Sequence, residues 1–256
     1  MIYITGDCHG DFRRFNTEIF PEQKEMTKND YVIICGDFGG IWGPYLGKYW
    51  NAEQYWLDWL ENKPFTTLFV DGNHENFDRI CGGEYPVLEW HGGKVHEIRP
   101  SVLHLMRGEV FEIDGKKVFA FGGASSHDIQ DGILEMDDDG EWRKIAKQWD
   151  TEYRMYRIKG LSWWPEELPS QEEMADGIYN LKKHDWKVDF IVTHTPDASA
   201  IAMLGSGLYE QDVLTLYLED VKNKVEYTKH FAGHMHVNRA INDKDILLYE
   251  QIIRIA

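Results

Sequence analysis

Five times along this chain a short apolar, β-branched run ends abruptly in a polar knot of Gly, Asp, Asn or His. The runs are Ile2 to Thr5, Tyr31 to Cys35, Thr66 to Val70, Phe190 to Thr193 and Lys229 to Ala232. The knots that stop them are Gly6-Asp7-Cys8-His9-Gly10, Gly36-Asp37, Gly72-Asn73-His74-Glu75, His194 and Gly233-His234-Met235-His236. Runs this short and this apolar predict buried strands. Helical patterns lie between the early ones: Phe12, Phe15, Ile19 and Phe20 share one helix face, and Tyr55, Trp56, Trp59 and Leu60 follow Asn51 as a candidate cap. Alternating strand and helix predicts a layered α/β domain.

Asp114-Gly115 tolerates the positive φ angles of a two-residue turn, so Val110 to Ile113 and Lys117 to Phe121 are expected to pair as a hairpin, which makes the sheets mixed. From 124 to 187 the character changes. The segment is rich in charge, carries Trp142, Trp149, Trp163, Trp164 and Trp186, and shows no clear strand. It reads as a helical or irregular insertion, capping the site or packing at a sheet edge, within a single domain of residues 1–256. Near its end Ser170 and Glu173 form a capping-box pattern ahead of Met174, Ile178 and Leu181, predicting a helix that leads back into the main sheet.

Twenty-seven Lys and Arg against 44 Asp and Glu give a formal net charge of -17. Such a surface repels a phosphate backbone, which argues against general nucleic-acid binding; most of the acidic excess reads as solvated surface. No run reaches the ~18 apolar residues that span a bilayer and the start has no signal-like pattern, so a cytoplasmic protein without membrane contact is expected. Cys8, Cys35 and Cys81 make neither an even set nor a C-x-x-C pair, so no disulfide framework is expected.

Ligands at the carboxyl ends of neighbouring strands converge in one crevice of an open α/β sheet, so the knots are expected to meet. Asp7 and His9, like His234 and His236, stand two residues apart, which in an extended chain puts each pair on one side. Mixed Asp, Asn and His donors suit manganese, iron or zinc better than an all-oxygen magnesium or calcium cage. Singly each knot says little, because Gly-Asp and Gly-Asn occur in ordinary turns. His91, His96, His104, His184 and His230 stand outside the knots and read as satisfied polar residues.

The ordered set D-x-H, G-D, G-N-H-E, H and G-H-x-H, running from Asp7 to His236, resembles the calcineurin-like metallophosphoesterase superfamily. The resemblance implies a four-layer sandwich of two mixed β-sheets flanked by helices. It also implies two divalent metal ions, with manganese the first candidate and iron or zinc the alternatives. Asp7, His9, Asp37 and His236 would hold one; Asp37, Asn73, His194 and His234 would hold the other, Asp37 bridging and His74 being the catalytic histidine. Two such cations would acidify a bridging water, deliver hydroxide in line to phosphorus and neutralise the transition state. His74 would serve the leaving oxygen, with Glu75 or another carboxylate orienting its ring. Serine/threonine phosphatases and diadenosine-polyphosphate hydrolases are expected to carry two phosphate-clamping arginines. Here Asp71 precedes G-N-H-E and Phe38-Gly39-Gly40 follows Asp37, so the G-H-M-H ending looks more like the phosphodiesterase and nuclease branches. His91 to Val95, Gly122 to Asp128 and Trp163-Trp164-Pro165 resemble a bacterial and phage-associated subgroup of unsettled substrate.

The expected activity is two-metal hydrolysis of a phosphomonoester or phosphodiester of a small molecule or nucleotide. A nuclease and a non-catalytic metal-bound scaffold are the alternatives. Arg13, His127, Arg154 and Arg157 are candidates for substrate contact, against plain surface or packing roles; Arg13 and Arg14 start the first helical pattern, which favours the surface. Ser126-His127-Asp128 is no triad, because consecutive side chains diverge. Glu135-Met136-Asp137-Asp138-Asp139-Gly140 reads as a solvated acidic turn, since Ala146 stands where a calcium loop closes with Glu.

Overall fold

The computed structural model describes residues 1–43, 47–205 and 210–256. Among them the strands are β1 (Ile2–Thr5), β2 (Tyr31–Ile34), β3 (Thr66–Phe69), β4 (Val87–Trp90), β5 (Gly93–Arg99), β6 (Val102–Leu105), β7 (Glu109–Ile113), β8 (Lys116–Phe121), β9 (Gly132–Leu134), β10 (Tyr156–Ile158), β11 (Phe190–Thr193), β12 (Lys229–Ala232), β13 (Arg239–Ala240), β14 (Asp245–Leu247) and β15 (Ile252–Arg254). One sheet has the order β15-β1-β2-β3-β6-β5-β4 and the other β13-β14-β12-β11-β8-β7. Both are mixed. β1, β2, β3 and β6 run parallel, as do β8, β11, β12 and β14, while the outer strands are antiparallel. The helices are α1 (Gly47–Glu61), α2 (Phe77–Ile80), α3 (Trp142–Thr151), α4 (Gln171–Lys183), α5 (Ala198–Gly205) and α6 (Val213–Lys224).

Successive strand side chains point to opposite faces, and both faces of the central strands β1, β2, β3 and β11 are covered, so these are buried at every position. Ile2, Ile4, Ile33 and Leu68 from the first sheet meet Val118, Ala120, Val192 and Phe231 from the second in a central core. Val32, Ile34 and Phe69 point outward onto Leu57 and Leu60 of α1 and onto Phe12 and Phe15. Phe119, Phe121 and Ile191 point outward onto Leu181 of α4 and Leu214, Leu218 and Val221 of α6. The result is helix, sheet, sheet, helix. Each fully buried Ile or Val stabilises it by ~1.5–3 kcal/mol. Ile113 pairs with Lys116 around Asp114 (φ 50°) and Gly115 (φ 71°), the expected hairpin turn. No helix of the described residues is long and apolar enough to cross a membrane.

Three local readings need correction. Phe12, Phe15 and Phe20 are buried but not on one α-helix: Arg13–Phe15 and Pro21–Glu25 are separate 3-10 turns, with extended Asn16 (ψ 145°) after the first and Ile19 62% exposed. A proline opening the second turn cannot donate the hydrogen bond a continuous helix needs. α1 begins at Gly47, so Asn51 lies inside it rather than capping it; its buried face is Glu53, Leu57 and Leu60. The stretch from 124 to 187 does contain strands, since β9 and β10 pair in parallel. Its acidic turn ends at α3, where the Asp137 carboxylate accepts the Glu141 and Trp142 N–H groups (2.9 and 3.0 Å). The Ser170 and Glu173 capping box of α4 is formed.

Candidate metal centre

The five polar knots are the loops leaving the carboxyl ends of β1, β2, β3, β11 and β12. They bond to one another. Cys8 N–H and His9 N–H both donate to the Asp37 carbonyl (3.0 and 2.7 Å), His74 N–H donates to the Asp37 carboxylate (2.8 Å), and His234 N–H donates to the Asp7 carboxylate (2.9 Å). These bonds hold His9, Asp37, His234 and His236 at φ of 49°, 45°, 64° and 49°, a left-handed conformation costing non-glycine residues on the order of 1–3 kcal/mol each. Left-handed turns, not the extended chain that the two-residue spacing suggested, therefore aim the paired ligands. Two glycines are dictated by close approach: a Cβ on Gly72 would lie 2.0 Å from Asp37 Oδ1, and one on Gly233 would lie 2.2 Å from Asp7 Oδ1.

One donor group is Asp7, His9, Asp37 and His236, with ligand atoms all within 4.8 Å of one another. His9 Nε2 is 3.0 Å from His236 Nε2 and 3.7 Å from Asp37 Oδ2, and His236 Nε2 is 3.1 Å from Asp7 Oδ2. The other gathers around His194, whose Nε2 is 3.2 Å from Asn73 Oδ1 and 3.4 Å from Asp37 Oδ1. The His194 ring is 4.9 Å from that of His234. His194 Nδ1 faces the Cys35 carbonyl at 2.8 Å, which makes Nδ1 a donor and turns Nε2 toward the centre. Burial opposes charging of the Asp37 carboxyl, but His194, His74 and His9 outweigh it and hold Asp37 well below the usual carboxylate range. Burial drives His234 far toward the neutral form that ligates metals.

Asp7 and Asp37 are 0% and 1% exposed. Among the described residues no lysine or arginine forms an ion pair with either. Two buried carboxylates surrounded by imidazoles and an amide oxygen, with no lysine or arginine paired to them among the described residues, fit divalent metal ions. Asp197, His230 and Asp245 also cluster, but the Lys222 ammonium bonds both carboxylates there, 2.9 Å from Asp245 and close against Asp197, and so supplies the positive charge.

His74 lines a cleft of about 250 Å³ together with Asp37, Asn73, His127, Asp128, Arg157, His234 and His236. Arg157 reaches it from β10 and is held by Asp128 (2.6 Å); His127 Nε2 is 2.8 Å from His234 Nε2. The other two candidate contacts lie elsewhere. Arg13 is folded onto Asp11 (2.5 Å) with 70% of its side chain exposed, on an outer groove shared with His9. Arg154 pairs with Glu152 (2.5 Å) and lies over Trp149. Glu75 does not orient His74: its carboxylate accepts the Phe38 and Gly39 N–H groups (2.7 and 3.2 Å), bracing the loop that carries Asp37.

Other supporting residues were not apparent from the sequence. Arg14 is no surface residue: its guanidinium donates to the Asp7 carbonyl (2.5 Å), the Tyr249 carbonyl (2.6 Å) and Thr5 Oγ1 (2.9 Å). The Tyr249 ring stacks on His236 at 4.7 Å. Asn73 Nδ2 donates to Ser126 Oγ (3.3 Å), and Glu167 Oε2 accepts the Ser126 N–H (3.1 Å). Asp71, where a phosphate-binding arginine was missed, is buried against His104 (3.1 Å) and Arg107 (2.9 Å), so Arg107 is committed to structure.

Fold and site together define a metal-dependent hydrolase of phosphoester bonds. The chain belongs to the calcineurin-like phosphoesterase family, whose model matches residues 1–238. Among curated relatives it is 24% identical over 196 residues to lariat debranching enzyme A of Xenopus laevis, covering 72% of this chain and 33% of that protein. It is 22% identical to the lariat debranching enzyme of Caenorhabditis briggsae, covering 72% and 36%, and 24% identical to the human enzyme, covering 52% and 25%. The aligned stretch thus spans only about a quarter to a third of these relatives' own length.

Proposed function

We propose that this chain hydrolyses phosphodiesters with two divalent cations, one in each donor group, manganese being the first candidate. The observation that carries the reading is Asp37: Oδ2 faces His9 at 3.7 Å while Oδ1 faces His194 at 3.4 Å, so one buried carboxylate belongs to both groups. When bound, the cations supply Lewis acidity and neutralise charge at phosphorus. Around them Asp7, His9 and His236 fix one position, and Asn73, His194 and His234 the other. His74 is the catalytic histidine. Burial, Arg157 and His9 move its imidazole toward the neutral form against the pull of Asp37, and a neutral imidazole still donates one N–H to the leaving oxygen. Arg157 and His127 contact the substrate phosphate from the 124 to 187 segment, which acts as an insertion that walls the cleft.

Two features favour a diester. The Asp128-bound Arg157 is the lysine or arginine lining the cleft among the described residues, and a monoester dianion would bring one more negative charge beside Asp37 and Asp128 than a diester does. The relatives' name, lariat debranching, also speaks for a nucleic-acid ester, a second reading opposed by the net charge of -17. The test is hydrolysis of bis-p-nitrophenyl phosphate and p-nitrophenyl phosphate after chelation and re-metallation, with His74→Ala as control and single-stranded DNA as competitor. Turnover restored by manganese, faster on the diester, supports the reading. Failure of every metal to restore turnover, or a fully active His74→Ala protein, refutes it.

A further inference from the structure

A second cavity, about 350 Å³, shares no lining residue with the His74 cleft but is built on the immediate neighbours of its donors. Gly10 follows His9, Gly39 stands two residues after Asp37, and Asn76 stands two residues after His74. Gly10 and Gly39 cross so closely that a Cβ on Gly39 would lie 2.8 Å from Gly10 N, so bare backbone lines this part of the cavity. Trp42, Trp56 of α1 and Leu161 supply apolar lining. The lining carboxylate and amide among the described residues, Glu53 and Asn76, are already engaged. Glu53 accepts the Trp42 and Gly43 N–H groups (both 2.9 Å) and pairs with Arg79 (2.8 Å), while Asn76 donates to the Trp42 carbonyl (2.9 Å) and accepts from Arg79 N–H (3.3 Å).

Such a cavity suits an uncharged, flat, apolar group better than an anion or a strongly hydrogen-bonding one. Two residues of backbone span at most ~7 Å, so the cavity borders the same loops that carry the donors, and one extended molecule can occupy it while its phosphorus centre lies among those donors. We propose that this cavity is a nucleobase subsite and that the substrate is a nucleotide phosphodiester whose base stacks against Trp42 and Trp56. The proposal rests on the phosphodiester reading above. Because the Glu53 carboxylate and the Asn76 amide are spent on the protein itself, the subsite reads stacking area rather than base edges: purines are favoured over pyrimidines, and adenine is not separated from guanine.

The test compares kcat/KM of the manganese-loaded enzyme on the p-nitrophenyl ester of adenosine 5′-monophosphate and on methyl p-nitrophenyl phosphate, which has no base. Trp56→Ala removes a stacking face; Ala52→Phe adds bulk to the cavity from an exposed position of α1. Loss of one stacking partner is worth roughly 5- to 150-fold, so the preference for the adenylate ester is expected to fall by about that factor in both variants, mainly through KM. Adenosine should also quench tryptophan fluorescence of the chelated wild-type protein and not of Ala52→Phe. Equal kcat/KM on the two esters, or a preference that neither variant lowers, overturns the subsite while leaving the esterase reading intact. Quenching that Ala52→Phe abolishes, in a protein that turns over neither ester, supports the subsite and overturns the esterase reading instead.

Discussion

Glu167 offers the sharpest test of how the centre is supported. Its carboxyl is 2% exposed, with Oε1 unpartnered and Oε2 accepting the Ser126 N–H. Burial raises it from 4.5 to about 8. A carboxyl whose folded value is raised contributes stability that is fully present below about 4.5 and is lost as pH rises toward about 8, because the folded state must then hold a buried charge. At 1.36 kcal/mol per unit, the loss is about 1 kcal/mol at pH ~5 and about 3 kcal/mol at pH ~7. Glu167→Gln cannot ionise. Its amide introduces an unsatisfied buried donor at a cost of ~1 kcal/mol, but that cost does not vary with pH. Urea unfolding of both proteins in chelator should therefore show the variant gaining about 2–3 kcal/mol on the wild type between pH ~5 and ~7, or roughly 5–10 °C in Tm for a chain of this size. Parallel pH profiles for the two proteins would refute both the burial argument and the placement of Glu167 beneath Ser126.

Four further perturbations test the centre from other sides. His74→Ala should lower kcat by ~10²–10⁴-fold with metal content unchanged by elemental analysis. Ser126→Ala releases the Asn73 amide and should weaken manganese binding about 10- to 100-fold in a calorimetric titration, with little change in far-ultraviolet circular dichroism. Gly72→Ala forces a Cβ to 2.0 Å from Asp37 Oδ1 and should abolish metal-dependent turnover even where the variant folds. Lys222→Met leaves the buried Asp197 and Asp245 carboxylates without their lysine and should destabilise by ~3–5 kcal/mol in denaturant unfolding.

The layered architecture was legible because each core strand is buried on both faces and needs no alternation to be recognised: Ile2 to Thr5, Phe190 to Thr193 and Lys229 to Ala232 coincide with β1, β11 and β12. The meeting of the knots was legible for a topological reason, since parallel strands place their carboxyl ends on one edge. What escaped was nonlocal or short. Phe12, Phe15 and Phe20 are buried as their spacing suggests, yet two 3-10 turns broken by an extended Asn16 satisfy that spacing as well as a helix does. β9 and β10 are three residues each and only partly buried, too short for a periodic signal. Arg14 looked like surface because its partners are uncharged, a hydroxyl and main-chain carbonyls, one of them 235 positions away in sequence. Glu75, adjacent to His74, was a natural choice to orient it, but a side chain bonds where its backbone aims it, and this one is aimed at Phe38 and Gly39.

The reciprocal bonding of the donor loops also bears on how the protein acquires its metals. The Asp37 loop holds the His9 and His74 loops, the Asp7 carboxylate holds the His234 loop, and Arg14 ties the first loop to the Tyr249 carbonyl. A nascent polypeptide that has released only its first hundred residues therefore lacks the partner that fixes Asp7, so the two donor groups cannot take the arrangement described above until β12 and the His234 loop have emerged.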